Sequence, residues 1–65
     1  PKYLETVTRV LFSNRRKMIN KNFVKLFGRD TSAAKDLDLN LDQRPGELSN
    51  EMFYKIAIKY EKLFN

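Results

Sequence analysis

The sequence predicts a small all-α fold, a bundle of three to four short helices. Apolar residues recur at helical spacing along most of the chain, no strand pair is needed to explain the pattern, and 65 residues allow one domain only. A domain of this size buries about 60% of the surface that its unfolded chain exposes, which leaves no room for an enclosed cofactor cavity. Most self-contained enzymes are therefore excluded.

Two apolar stripes predict the first two helices. Helix 1 is expected at about residues 2–12 and helix 2 at about residues 14–27, with Ser13 as the N-cap of helix 2 and Gly28 as its stop. The first stripe consists of Tyr3, Leu4, Val7, Val10 and Leu11. The second consists of Ile19, Phe23, Leu26 and Phe27.

The second half of the chain predicts two more helices. Thr31 or Ser32 can cap a short third helix that runs to Leu37, and a turn follows at residues 44–46. Ser49 is expected to cap helix 4, which should pack against helices 1 and 2. Its stripe is the longest in the sequence and consists of Phe53, Ile56, Ala57, Tyr60, Leu63 and Phe64. Tyr54 and Ile58 lie off that stripe and form a second, smaller apolar patch.

Residues 36–42 alternate between polar and leucine residues, which is formally a strand pattern. We expect a connector instead, because a single strand has no partner and its leucines can cover the underside of the bundle. The segment also offers the ligand types of a calcium loop, at Asp36, Asp38, Asn40 and Glu47. Leu41 occupies the position where the sharp turn of such a loop requires glycine, so a solvated acidic connector is favoured.

Composition excludes several classes of site. The chain has no Cys and no His, which rules out disulfides, Cys/His zinc sites, thiol nucleophiles and Ser-His-Asp triads. Two glycines are too few for a phosphate-binding glycine loop. The longest aliphatic or aromatic runs have three residues, far short of a membrane span, so we expect a soluble protein. Its expected localisation is cytoplasmic. No catalytic, cofactor-binding or metal-binding residue is predicted.

The charge is concentrated in the N-terminal half. The chain carries 13 Lys and Arg against 8 Asp and Glu. Residues 1–29 hold eight of the basic residues and one acid, a net +7, whereas residues 30–50 hold two basic residues and five acids. A basic block of this kind favours a polyanion, most commonly nucleic acid, although a solvated helix face would have the same composition.

A lysine stripe is predicted on the solvent side of helix 2. Lys17, Lys21 and Lys25 recur at four-residue spacing, where like charges repel by a few tenths of a kcal/mol. Phosphate binding would explain them, and Asn14 and Asn20 can add hydrogen bonds to phosphate or sugar. Base-specific contacts are not indicated.

Two arginines precede the lysine stripe. Arg15 is expected to contact RNA, whereas for Arg16 two roles stay open: RNA contact, or an ion pair at the edge of the core. The acids considered as partners are Asp36, Asp42 and Glu47. The complete set of predicted RNA-binding residues is Asn14, Arg15, Arg16, Lys17, Asn20, Lys21 and Lys25.

The order of these motifs carries a family resemblance. The run Phe12-Ser13-Asn14-Arg15-Arg16-Lys17, a basic helix, a leucine-rich connector and then Arg44-Pro45-Gly46-Glu47-Leu48-Ser49 span nearly the whole chain. Together they resemble the C-terminal helical domain of the KsgA/RsmA ribosomal RNA adenine dimethyltransferases, whose pattern is Phe-x-x-Arg-Arg-Lys followed by Arg-Pro-Glu-x-Leu-Ser. The chain departs from that pattern at Gly46, where the family favours Glu.

The resemblance implies a parent enzyme that transfers methyl groups from S-adenosylmethionine to N6 of two adjacent adenines near the 3′ end of small-subunit ribosomal RNA. Its Rossmann-like catalytic domain, which holds the cofactor, would precede Pro1, and the Pro1 start fits a piece of a longer polypeptide. Residues 1–65 would then be a single RNA-binding domain, inert alone and without a cofactor. Its expected partners are ribosomal RNA or the small ribosomal subunit, and the parent's own catalytic domain. No membrane partner is expected, and the protein is expected to be a monomer.

Two other classes stay open at this stage. A free-standing helix-turn-helix module that binds DNA would also be small, basic and helical, and it would leave a dimeric footprint. A basic amphipathic surface could also bind an anionic membrane.

Overall fold

The computed structural model describes residues 2–64, and within that range the chain forms four α-helices and no strand. The helices are α1 (Leu4–Leu11), α2 (Asn20–Phe27), α3 (Ser32–Asp36) and α4 (Asn50–Phe64). Single 3₁₀ turns lie at Phe12–Asn14 and Pro45–Glu47. The predicted all-α fold is confirmed. No helix in the described part of the chain is long and apolar enough to cross a membrane.

All four helices and the connector contribute to one apolar core. Its buried hydrophobic side chains are Val7, Leu11, Ile19, Phe23, Leu26, Phe27, Ala33, Ala34, Leu39, Phe53, Ile56 and Ala57. The α1 helix lies between α2 and α4 and packs against both. The rings of Phe12 and Phe53 stack at 5.5 Å between centroids, and those of Phe27 and Tyr60 meet edge to face at 5.6 Å. The first contact joins α4 to the 3₁₀ turn that follows α1, and the second joins α4 to α2. The sequence predicts this packing of helix 4.

The end of α1 differs from the prediction at Ser13. The Ser13 hydroxyl donates to the carbonyl oxygen of Val10 at 2.8 Å, so Ser13 belongs to the 3₁₀ turn that closes α1. The prediction that Ser13 caps helix 2 is therefore wrong. A hydroxyl bonded to a carbonyl three residues back supports the end of a helix, whereas an N-cap oxygen accepts from an amide further along the chain.

The α2 helix begins at Asn20, six residues later than predicted. In a helix that began at Asn14, the Ile19 amide would donate to the Arg15 carbonyl. It donates instead to the carbonyl oxygen of Gln43 at 2.8 Å, and the Ile19 side chain is completely buried. Residues 15–19, hereafter the 15–19 loop, are therefore non-helical, because a distant segment takes the amide that helix propagation needs.

The two remaining helix starts use different capping groups. The Asp30 carboxylate accepts the Ser32 amide at 3.0 Å, while Thr31 occupies the N-cap position of α3 without a side-chain bond. The predicted capping by Thr31 or Ser32 is therefore wrong, since Asp30 provides the oxygen. The Ser49 hydroxyl accepts the Met52 amide at 3.1 Å, so the predicted cap of α4 is confirmed.

The apolar stripe of α4 is buried along most of its length and exposed at its end. Phe53, Ile56 and Ala57 are buried, whereas Leu63 and Phe64 remain 56% and 53% exposed. With 15 residues, α4 is nearly twice as long as α1, so its last turn extends beyond the neighbour that covers the rest. Tyr54 and Ile58 are exposed and form the predicted second patch.

The acidic connector covers the core with its leucines. Leu39 is buried, and Leu37 and Leu41 pack against the core while partly exposed, which confirms their predicted position. The Asp36 carboxylate forms an ion pair with the Lys59 ammonium at 2.9 Å, and this pair connects α3 to α4. Among residues 2–64, no group of three or more acidic side chains is placed to hold a metal ion.

Candidate nucleic-acid interface

The 15–19 loop, the outer face of α2 and Arg44 surround one open depression of about 700 Å³, hereafter the basic depression. Its lining residues are Ser13, Asn14, Arg16, Lys17, Met18, Asn20, Lys21, Asn22, Lys25 and Arg44. Five of these ten side chains are cationic and none is acidic. At neutral pH the depression therefore has a positive electrostatic potential.

The depression brings together six of the seven residues predicted from the sequence as RNA contacts. They are Asn14, Arg16, Lys17, Asn20, Lys21 and Lys25. Arg15 does not line it; its exposed side chain belongs to the turn that follows the 3₁₀ segment. All seven side chains are exposed, so none of them is a core residue.

The predicted lysine stripe on helix 2 is wrong in part. Lys21 and Lys25 lie one turn apart on α2, but Lys17 belongs to the 15–19 loop and is not on any helix. The three lysines nevertheless line the same depression, because the loop folds back beside α2. The three lysines are therefore brought together by tertiary structure and not by the periodicity of one helix.

The N-terminal end of α2 adds to the positive potential. Its first turn contains no acidic residue, and Asn20, Lys21 and Asn22 from that turn line the depression. The unpaired amides at a helix start carry a partial positive charge that favours anions nearby. The Asn20 side-chain oxygen accepts the Lys21 amide at 2.7 Å, so the NH₂ group of Asn20 is the part of that amide available to donate to an anion.

Asn22 forms the floor of the depression and joins two helices. It is 5% exposed, and its Nδ2 donates to the carbonyl oxygen of Leu11 at the end of α1, with 3.5 Å between the atoms. Asn22 is not among the residues predicted from the sequence. A signal was present, since Asn22 lies three residues after Ile19 and four before Leu26, on the apolar face of α2. A polar residue at such a position needs a partner.

Arg44 is the second residue of the depression that was not predicted from the sequence. Its Nε donates to the carbonyl oxygen of Arg16 at 3.1 Å, a contact between residues 28 positions apart in the chain. Its own amide donates to the Glu47 carboxylate at 2.7 Å, which closes the 3₁₀ turn at Pro45–Glu47. No local pattern marks Arg44 as part of the depression, because the contact depends on how the connector returns to the 15–19 loop.

The hypothesis that Arg16 pairs with a carboxylate is wrong. Its side chain is exposed and makes no ion pair with any residue in the described range. Two of the three candidate acids have other partners, since Asp36 pairs with Lys59 and Glu47 accepts the Arg44 amide. The Arg16 carbonyl accepts the Arg44 hydrogen bond, and Arg16 is one of the residues that line the depression.

One comparison with known proteins identifies a relative. Over 63 residues the chain is 38% identical to the ribosomal RNA small subunit methyltransferase A of Pelagibacter ubique (strain HTCC1062). The resemblance to the KsgA/RsmA family is confirmed. The similarity extends over 97% of this chain, which spans 24% of the length of that relative, as a C-terminal KsgA/RsmA segment would. No protein-family model and no solved structure matches the chain.

Exchanging Arg44 or Arg16 for alanine should separate the two roles of these arginines. Arg44→Ala removes the bond to the Arg16 carbonyl and should lower the free energy of unfolding by about 1 kcal/mol, whereas Arg16→Ala should change it by less than about 0.5 kcal/mol. Urea denaturation of the two variants beside the original chain measures both values. A larger loss of stability for Arg16→Ala than for Arg44→Ala would contradict the assignment.

Proposed function

We propose that this chain binds the sugar-phosphate backbone of ribosomal RNA through the basic depression. The observation that carries the proposal is the convergence of five cationic side chains, from the 15–19 loop, α2 and residue 44, on one concave surface without an acid. Phosphate contacts from Lys and Arg position a protein on nucleic acid with little dependence on base sequence. Similarity to a ribosomal RNA methyltransferase supports RNA as the polyanion.

The cations of the depression have no acidic partner within residues 2–64, unlike Lys55 and Lys59. Lys59 pairs with Asp36 at 2.9 Å and Lys55 with Glu51 at 3.5 Å, both outside the depression. Within residues 2–64, none of the five cations of the depression makes an ion pair. Their mutual repulsion would be relieved by an anionic ligand, and release of the ligand's counterions would drive binding.

We propose further that the chain acts as the C-terminal part of a ribosomal RNA adenine dimethyltransferase. In this proposal, the parent's catalytic domain holds S-adenosylmethionine and methylates N6 of two adjacent adenines near the 3′ end of small-subunit ribosomal RNA. The present chain contributes no catalytic or cofactor-binding residue. As part of a monomeric enzyme it holds the RNA backbone of the small subunit, so that the catalytic domain can extrude the target adenine.

A helix-turn-helix DNA-binding function is not favoured by the geometry. The second helix of such a motif must lie in the major groove and present side chains to base edges. In this chain α3 would be the recognition helix, because it follows α2. It has only five residues, and its charged side chains are one basic residue, Lys35, and one acidic residue, Asp36. The five cations of the depression lie on the 15–19 loop, on α2 and at Arg44 instead.

Removing two lysines of the depression should weaken RNA binding at unchanged fold. Lys21→Gln/Lys25→Gln should lower the affinity for structured RNA about tenfold at 0.1 M salt. For the original chain we expect log affinity to fall with log salt at a slope of about −2 to −3, and the double variant should make that slope shallower by about 1.5. Titrations at several salt concentrations measure both quantities.

The matched control for this pair is Lys35→Gln/Lys62→Gln, which changes net charge equally at two exposed lysines outside the depression. It should retain most of the affinity, and both double variants should unfold within about 0.5 kcal/mol of the original chain. Equal weakening by the two double variants would show that net charge, and not the depression, determines binding, and would overturn the proposal.

Deleting the corresponding segment from the parent enzyme should separate RNA binding from cofactor binding. The truncated enzyme should methylate the assembled ribosomal substrate more slowly and still bind S-adenosylmethionine, because the cofactor belongs to the other domain. Calorimetric titration of the cofactor and methyl transfer to small-subunit particles measure the two properties. A folded truncation that loses cofactor binding, or that methylates at the original rate, would contradict the proposed role.

A further inference from the structure

Met18 has an unusual position in the basic depression. Among the described residues that line it, Met18 has the one apolar side chain, and that side chain is 50% exposed. The other large exposed hydrophobic residues lie outside the depression; they are Val24, Tyr54, Ile58, Leu63 and Phe64. An apolar group among cations does not help to bind phosphate, so its position calls for a different contact.

The backbone on both sides of Met18 is held in place. The Lys17 amide donates to the Asn14 carbonyl at 3.1 Å, and the Ile19 amide donates to the Gln43 carbonyl at 2.8 Å. The side chain of Ile19 is fully buried and anchors the loop to the core. Met18 therefore projects from a preorganised turn, and a ligand that contacts it would pay little entropy for ordering the loop.

An exposed methionine surrounded by cations is suited to the face of an unpaired base. Bases in a continuous RNA duplex are stacked and their faces are covered, whereas bases in loops and bulges can lie against protein side chains. The polarisable thioether packs well on aromatic rings, and methionine is among the apolar side chains that proteins insert beside bases.

We propose that Met18 packs against an unpaired base while the surrounding cations hold the adjacent phosphates, so that the basic depression selects RNA with unpaired nucleotides over continuous duplex. This inference rests on the proposed function of the depression and deepens it by naming the substrate class. Arg16 and Lys17 precede Met18 directly in the chain, which places two cations beside the base contact.

The test compares two RNA probes and four variants of the full 65-residue chain. One probe is a hairpin with a four-nucleotide loop, and the other is a blunt duplex with the same number of nucleotides and no unpaired base. Met18→Gln, which keeps the length of the side chain, should weaken hairpin binding about fivefold and change duplex binding less than about twofold. Met18→Leu should bind the hairpin like the original chain.

Ile58→Gln serves as the control, because Ile58 is 42% exposed and lies outside the depression. It should bind both probes like the original chain. Equal effects of Met18→Gln on hairpin and duplex, or no effect on either, would overturn the base contact. Failure of the proposed function has a different signature: Lys21→Gln/Lys25→Gln would then bind both probes as tightly as the original chain.

Discussion

The hydrogen bond from the Ile19 amide to the Gln43 carbonyl, together with the complete burial of the Ile19 side chain, determines how the rest of the structure is arranged. This contact prevents α2 from starting earlier and fixes the 15–19 loop against the connector. It also brings Arg44 beside Arg16, where the second bond between the two segments forms. Without it, α2 would extend back through Lys17, this lysine would share a helix face with Lys21 and Lys25, and no concave surface would form.

The residues that stabilise the bundle are different from those that carry its positive charge. Its core is made almost entirely of apolar side chains, and the one buried polar residue, Asn22, is bonded to the Leu11 carbonyl among the described residues. The cations of the depression lie on the outer side of that layer, where water solvates them. A small domain has little stability to spare, so ligand-binding charges are tolerable only where they need no burial.

Local sequence patterns were sufficient for the parts of the fold that depend on local interactions. The apolar stripes of α1 and α4 predicted residues of the core, and Ser49 was correctly predicted as the N-cap of α4. Both features depend on residues within one or two helical turns of each other. The start of α2 could not be predicted in this way, since Gln43 lies far along the chain from Ile19. Periodicity at Ile19 and Phe23 is the same whether or not the preceding turn is helical.

The candidate site was predictable in composition but not in shape. The basic run and the lysine spacing identified six of the side chains that line the depression, and the family resemblance pointed to RNA. Arg44 was missed because its role comes from tertiary structure. For Arg16 the sequence left an ion pair open, but the fold gives Asp36 and Glu47, two of its three candidate partners, to other groups. Charge pattern alone does not determine which opposite charges meet.

The most direct test of this account is a titration of the ¹⁵N-labelled chain with an RNA hairpin, followed through its amide resonances. The account predicts that the perturbed amides cluster at residues 14–25 and at Arg44, which are far apart in the chain but adjacent at the basic depression. Perturbations confined to the α4 face around Tyr54 and Ile58, with residues 14–25 unchanged, would contradict it.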